Sequence, residues 1–196
     1  MNVGGGMLNT INKEAAERAS QALHKLTGKP VVVEISQAAL KPVVEFTKSI
    51  GQEELVTGIQ LPITGDVHGT SLLIFPRDTA LSLCDLLLER PPGTTRNLSE
   101  LDASALKEVG NIIVGNYLTV LANRLQIRII EHIPSLSTDM FGAVVDQLTS
   151  QLAQRVERAI VLEVHFRLEA VSITGNLILL LAVEALEAIV RAAEER

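Results

Sequence analysis

The sequence predicts an α+β fold of two pseudo-two-fold duplicated halves, each helix–strand–strand–strand–helix, with strands in a shared layered core and long helices packed on it. Three observations lead there. Two long segments, near 8–27 and 99–126, carry apolar residues at helical spacing, and each is followed by a strand-like stretch. Two later segments, His68-Gly-Thr-Ser-Leu-Leu-Ile-Phe-Pro-Arg-Asp-Thr-Ala-Leu and Thr174-Gly-Asn-Leu-Ile-Leu-Leu-Leu-Ala-Val-Glu-Ala-Leu, share a glycine, an apolar strand and an entering helix. Both halves then close on Glu-Arg, at Glu89-Arg90 and Glu195-Arg196. Finally, 47% of the 196 residues are hydrophobic, enough to bury one sizeable core. The chain 1–196 therefore reads as a single domain. Its pseudo-repeats lie at about 7–90 and 99–196, joined by a linker over 91–98 that contains Pro-Pro-Gly-Thr-Thr.

The first helix carries Leu8, Ile11, Ala15, Ala19, Ala22, Leu23 and Leu26 at helical spacing and is stopped by Gly28 and Pro30. A strand is expected near 30–37, then a looser stretch around Pro42. Strands near 53–63 and 66–75 meet at a Thr64-Gly65-Asp66 turn, and a helix near 77–89 ends at Pro91-Pro92. In the second half, Ser99-Glu-Leu-Asp102 is a capping-box variant that opens a helix running to about Gln126. A strand near 127–133 stops at Pro134. A further helix near 137–156, capped by Ser137 or Asp139, precedes strands near 159–169 and 171–181 and a terminal helix near 182–195. The apolar run from Leu177 to Val183 is far short of the roughly 20 residues that span a bilayer. It is expected to be a strand buried on both faces that leads into a helix.

Composition removes several function classes. A net charge of −6 leaves no basic face for a nucleic-acid backbone, and 3% aromatic residues with no Trp leave few platforms for stacking bases or sugars. One cysteine, Cys84, excludes a disulfide framework and any multi-cysteine metal cluster, and fits a reducing cytosol. It lies on an apolar helix face and reads as a core residue. His24, His68, His132 and His165 are scattered without ligand spacing, so no metal of the protein's own is expected. Residues 1–10 show no signal-peptide pattern. The expectation is a cytoplasmic protein without membrane insertion.

Chemistry concentrates on the second long helix. At about 100° per residue, Ala105, Leu106, Val109, Ile112, Ile113 and Val120 face the core. Ser104, Glu108, Asn111 and Gly115 form a polar stripe on the opposite side. Gly115 costs roughly 1 kcal/mol in mid-helix relative to alanine, and a close approach of another backbone would account for it. A lone Glu-x-x-Asn on an amphipathic helix is ordinarily solvated surface. Here it sits in a longer pattern, Ser104-x3-Glu108-x2-Asn111, with Pro134 following after 22 residues. That pattern, with the flanking Leu106-Lys-Glu-Val-Gly-Asn-Ile-Ile-Val-Gly-Asn116, resembles the signature of the CheC/CheX/FliY family. Members of that family dephosphorylate the chemotaxis response regulator CheY. The resemblance covers essentially the whole chain and is nearest to the CheC type.

The resemblance implies a phosphatase that hydrolyses the aspartyl phosphate of a CheY-type regulator, which supplies its own Mg²⁺; no cofactor of the chain's own is implied. Asn111 would handle the attacking water, and Glu108 would pair with the regulator's active-site lysine. Ser104, Pro134 and Gly115 would support them. Many CheC proteins repeat Glu-x-x-Asn on the first helix. Here, setting Gly28 against Gln126 puts Thr10 at the place of Glu108, Lys13 at that of Asn111 and Ser36 at that of Pro134. A lysine offers a full charge and no acceptor, so one active site is expected. The resemblance also implies CheD as a partner, through the helix near 137–156. There Met140, Phe141 and Asp146 either stay partly at the surface as a partner contact or, for the apolar pair, cap the core. The alternative function is a CheD-binding adaptor with little phosphatase activity; a third is an α+β scaffold whose polar stripe is incidental.

Overall fold

Apolar side chains on both faces of the central strands decide the architecture. The computed structural model describes residues 6–36, 39–42, 45, 51–151, 158–168, 171–182 and 189. The first half runs α1 (Gly6–Thr27), β1 (Val31–Ile35), β2 (Ala39–Pro42), β3 (Leu55–Gly65), β4 (Gly69–Pro76) and α2 (Arg77–Leu87). The second runs α3 (Glu100–Leu125), β5 (Ile129–Glu131), β6 (Ser135–Met140), α4 (Phe141–Gln151), β7 (Arg158–Leu168) and β8 (Val171–Leu181). The strands form one antiparallel sheet in the order β1-β7-β8-β4-β3-β5, with β2 also pairing with β7 and β6 with β3.

That order is the same read from either end once each strand is exchanged for its counterpart in the other half. Each half thus lends its first two strands to the other half's hairpin. At the centre Leu72 of β4 lies opposite Ile178 of β8. These are equivalent positions in the two glycine-headed repeats, so the pseudo-two-fold axis passes between them. Side-chain alternation then fills two cores. Leu73, Phe75, Leu177, Leu179 and Leu181 pack with α1, α2 and α3, while Leu72, Ile74, Ile178 and Leu180 pack with α4 on the other face.

The long helices are equivalent too. Each is followed by a residue in the left-handed region, Gly28 at φ 67° and Gln126 at φ 56°. Aligned on those ends, their buried positions coincide: Leu8 with Leu106, Ile11 with Val109, Ala15 with Ile113, Ala19 with Tyr117, and Leu23 with Leu121.

Three sequence expectations need correction. Residues 135–140 are a strand, so the helix expected near 137–156 starts later than predicted: Ser135 to Met140 pair with β3 from Gln60 back to Leu55. Ser137 and Asp139 are therefore strand residues rather than N-caps, and the helix begins at Phe141. The Ser/Thr/Asp-rich stretch has the local chemistry of a cap, but ladder bonds to β3 override it. The looser stretch at Pro42 is β2, so each half has four strands instead of three. The hairpin turn is also shifted, since β3 runs on through Gly65. Except for Ile189 and Ala182, the expected terminal helix lies outside the described residues.

The connection between the halves is tied down. Asp85 accepts the N–H groups of Thr94 and Thr95 at 3.0 and 2.8 Å. Ser99 caps α3: its Oγ accepts the Asp102 N–H at 3.3 Å, and Asp102 Oδ2 accepts the Ser99 N–H at 2.8 Å. Asp102 is buried and also takes Arg90 Nη1 at 2.6 Å. Burial opposes its charge, but the hydrogen bonds from Ser99 and Arg90, and the Arg90 charge, outweigh it and hold the carboxyl below the usual range. A carboxyl depressed by folding contributes stability above its unfolded pKa, about 4, and that contribution is lost as pH falls through the lower folded value. Asp102→Asn should therefore cost about 2–3 kcal/mol at neutral pH, by leaving Arg90 without its carboxylate. The variant should also destabilise less than the wild type on acidification. Thermal melts at neutral and acid pH check both points.

Candidate functional site

The two faces of α3 have opposite fates. Leu106, Val109, Gly110 and Ile113 are buried against the sheet, while Ser104, Glu108 and Asn111 are exposed and Gly115 is half-buried. Ala105 and Ile112, expected in the core, are only partly covered. The glycine demanded by close packing is Gly110, where a Cβ would come within 2.6 Å of Ile59 Cγ2. What lies nearest Gly115 is a side chain, not another backbone. A Cβ there would lie 3.1 Å from Glu131 Oε2, so the carboxylate fills the space beside it. Neither Glu108 nor Asn111 hydrogen-bonds through its side chain to another described residue, whereas the nearby Asn116 commits its amide to Ile112 O at 2.7 Å.

Asn111 opens onto a cleft of about 580 Å³ lined by Ile112, Glu131, His132, Ile133 and Pro134. The sheet brings this distant segment to the helix. Glu131 pairs with Ile63 of β3, the His132 N–H donates to Pro62 O at 3.0 Å, and the His132 ring meets Thr64 Oγ1 at 2.9 Å. Asn111 and Pro134 are thus brought together. Glu108 stands one turn earlier on the exposed stripe, outside the cleft lining, and Ser104 a turn before that. Sequence reasoning missed Glu131, whose position depends on β5 lying beside Gly115. Burial pushes its carboxyl up from the ordinary value.

The first half has a matching cleft of about 530 Å³ between α1 and β1, lined in part by Asn12, Lys13, Ser20, Val32 and Glu34. Thr10 and Lys13 are exposed as expected. Ser36 is not the counterpart of Pro134. Its N–H donates to Glu163 O at the end of β1, as that of His132 does to Pro62 O at the end of β5. It therefore corresponds to His132.

The expected partner contact on α4 changes. Met140 is 54% exposed and Asp146 is exposed, but Phe141 is 0% exposed and packs in the second core with Val145. Phe141 is a core residue, because the helix starts there and turns that side chain onto the sheet. Cys84 is buried, and burial followed by the Asp102 charge pushes its thiol up to about 12. Among the described residues, no three His, Cys, Asp or Glu side chains gather as metal ligands, and no helix is long and apolar enough to cross a membrane.

The CheC-like family matches residues 101–134, the stretch that holds Ser104, Glu108, Asn111 and Pro134. Over 160 residues, 80% of this chain and 77% of the other, the sequence is 31% identical to the CheY-P phosphatase CheC of Bacillus subtilis (strain 168). The fold is similar to that of Thermotoga maritima FliY, with a TM-score of 0.76 at 17% identity over 100% of this chain and 99% of that one. It is also similar to a chain of the CheX–CheY complex with BeF3 and Mg²⁺ from Borrelia burgdorferi. There the TM-score is 0.52 at 18% identity, over 89% of this chain and 97% of that one.

Proposed function

The chain belongs to the CheC-like family, and from that premise we propose that it hydrolyses the aspartyl phosphate of a CheY-type response regulator at one site on α3. The observation that carries this reading is the exposed amide of Asn111, which makes no hydrogen bond to another described residue, beside a cleft that Pro134 helps to line.

An acyl phosphate is already activated, so the catalyst's task is to hold a water in line with phosphorus. A side-chain amide both donates to and accepts from such a water, and stays neutral beside the phosphoryl charge. Glu108 is poorly suited to act as a base near that charge. On the exposed stripe one turn from Asn111, it is suited to pair with a lysine of the regulator and set the register of docking. The Mg²⁺ that neutralises the phosphoryl oxygens is the regulator's own on this reading, and the reaction is cytoplasmic. Lys13 cannot replace Asn111, so the first-half cleft is not a second catalytic site. An adaptor role toward CheD finds less support: of its expected contacts, only Met140 and Asp146 are at the surface.

Glu108→Gln keeps the shape and removes the charge. It should lower kcat/KM by about 10- to 100-fold in steady-state dephosphorylation, as expected for one partner of a docked ion pair. Wild-type activity in that variant would contradict the lysine pairing.

A further inference from the structure

Beside Asn111, the cleft carries two features that the catalytic reading leaves unused. Glu131 holds a half-buried carboxyl with no hydrogen-bond or ion-pair partner among the described residues. Ile133, two residues on, is 89% exposed, the most exposed large apolar side chain of the described residues. Both line the cleft, while the ring of His132 between them is held by Thr64 of β3 at 2.9 Å.

Neither feature serves the fold. A partly desolvated carboxylate without a partner is unfavourable, and an isoleucine in full contact with water stabilises nothing. Gly115 leaves room for the carboxylate, since any larger residue there would press on Glu131 Oε2 at 3.1 Å or less. An anionic group next to an apolar knob matches a surface with a cation beside an apolar patch. The lip is continuous with the Asn111 cleft, so whatever brings a phosphoryl group to Asn111 must also cover it.

Resting on the phosphatase reading, we propose that Glu131 and Ile133 form a docking lip that recognises the response regulator. Glu131 receives a lysine or arginine side chain of the regulator, and Ile133 is buried against apolar surface next to that cation. The lip acts on binding and specificity, whereas Asn111 acts on the chemistry.

The test is calorimetric titration with a Mg²⁺-loaded, beryllofluoride-activated CheY-type regulator, run beside steady-state dephosphorylation. Glu131→Gln and Ile133→Ser should each raise Kd about tenfold, with KM rising in step. Binding by Glu131→Gln should also depend less on salt than binding by the wild type. Ile133 is so exposed that its variant must fold, and a thermal melt checks the other. An unchanged Kd in either variant overturns that residue's role, and a fall in kcat at unchanged Kd would place it in the chemistry instead. Wild-type chain that binds without turnover would refute the phosphatase reading and leave the lip standing. Failure of the wild type to bind would overturn both.

Discussion

Asn111→Ala should lower the rate of regulator dephosphorylation by about 10²–10³, the usual cost of losing one positioned polar group. The structure gives a reason to expect that loss without collateral damage. Asn111 is exposed, its amide makes no hydrogen bond to another described residue, and alanine is the better helix former. The melting temperature should stay the same or rise slightly. Asn111→Asp is the sharper companion: it keeps the size but replaces the donor amide with a negative charge beside the phosphoryl group, and should be at least as damaging. A rate within a few-fold of wild type in either variant would remove Asn111 from the chemistry.

The largest effect on stability is expected at Phe141. Its ring is fully buried at the start of α4, against Val56, Ile74 and the other residues of the second core. Truncation to alanine removes the anchor that seats α4 on the sheet and should cost about 3–5 kcal/mol. In a chain of this size that corresponds to a fall in melting temperature of roughly 10 °C. Met140→Ala, at the exposed position just before it, should change stability by less than about 0.5 kcal/mol. Differential scanning calorimetry on the two variants separates the positions.

These neighbours mark where the sequence stopped being legible. The start of α3 is written locally: Ser99 and Asp102 answer each other's N–H groups whatever the rest of the chain does, and the cap is found where it was expected. The exposed stripe of Ser104, Glu108 and Asn111 follows from helical period alone. The central strands were equally plain, because Leu177 to Leu181 is apolar at every position and can only be buried on both faces. By contrast, β6 exists because β3 lies beside it, and nothing in Ser135–Met140 announces that partner. A helix that begins at 137 or 139 instead of at Phe141 also misplaces the Phe141 side chain relative to the sheet. The place of Glu131 is not written locally for the same reason: its closeness to Gly115 arises from sheet pairing between residues far apart in the chain. Gly110 and Gly115 could not be ranked by spacing, since only the packing against Ile59 shows which one a side chain would disrupt.

The most direct test of the central claim follows the decay of a phosphorylated CheY-type regulator alone, with the wild-type chain, with Asn111→Ala and with Lys13→Ala. One catalytic site on α3 predicts rapid loss of phosphate with the wild type and with Lys13→Ala. It predicts decay near the regulator's own rate with Asn111→Ala. Decay unaffected by the wild-type chain would contradict the phosphatase assignment, and activity that survives in Asn111→Ala but is lost in Lys13→Ala would move the reaction to the other half.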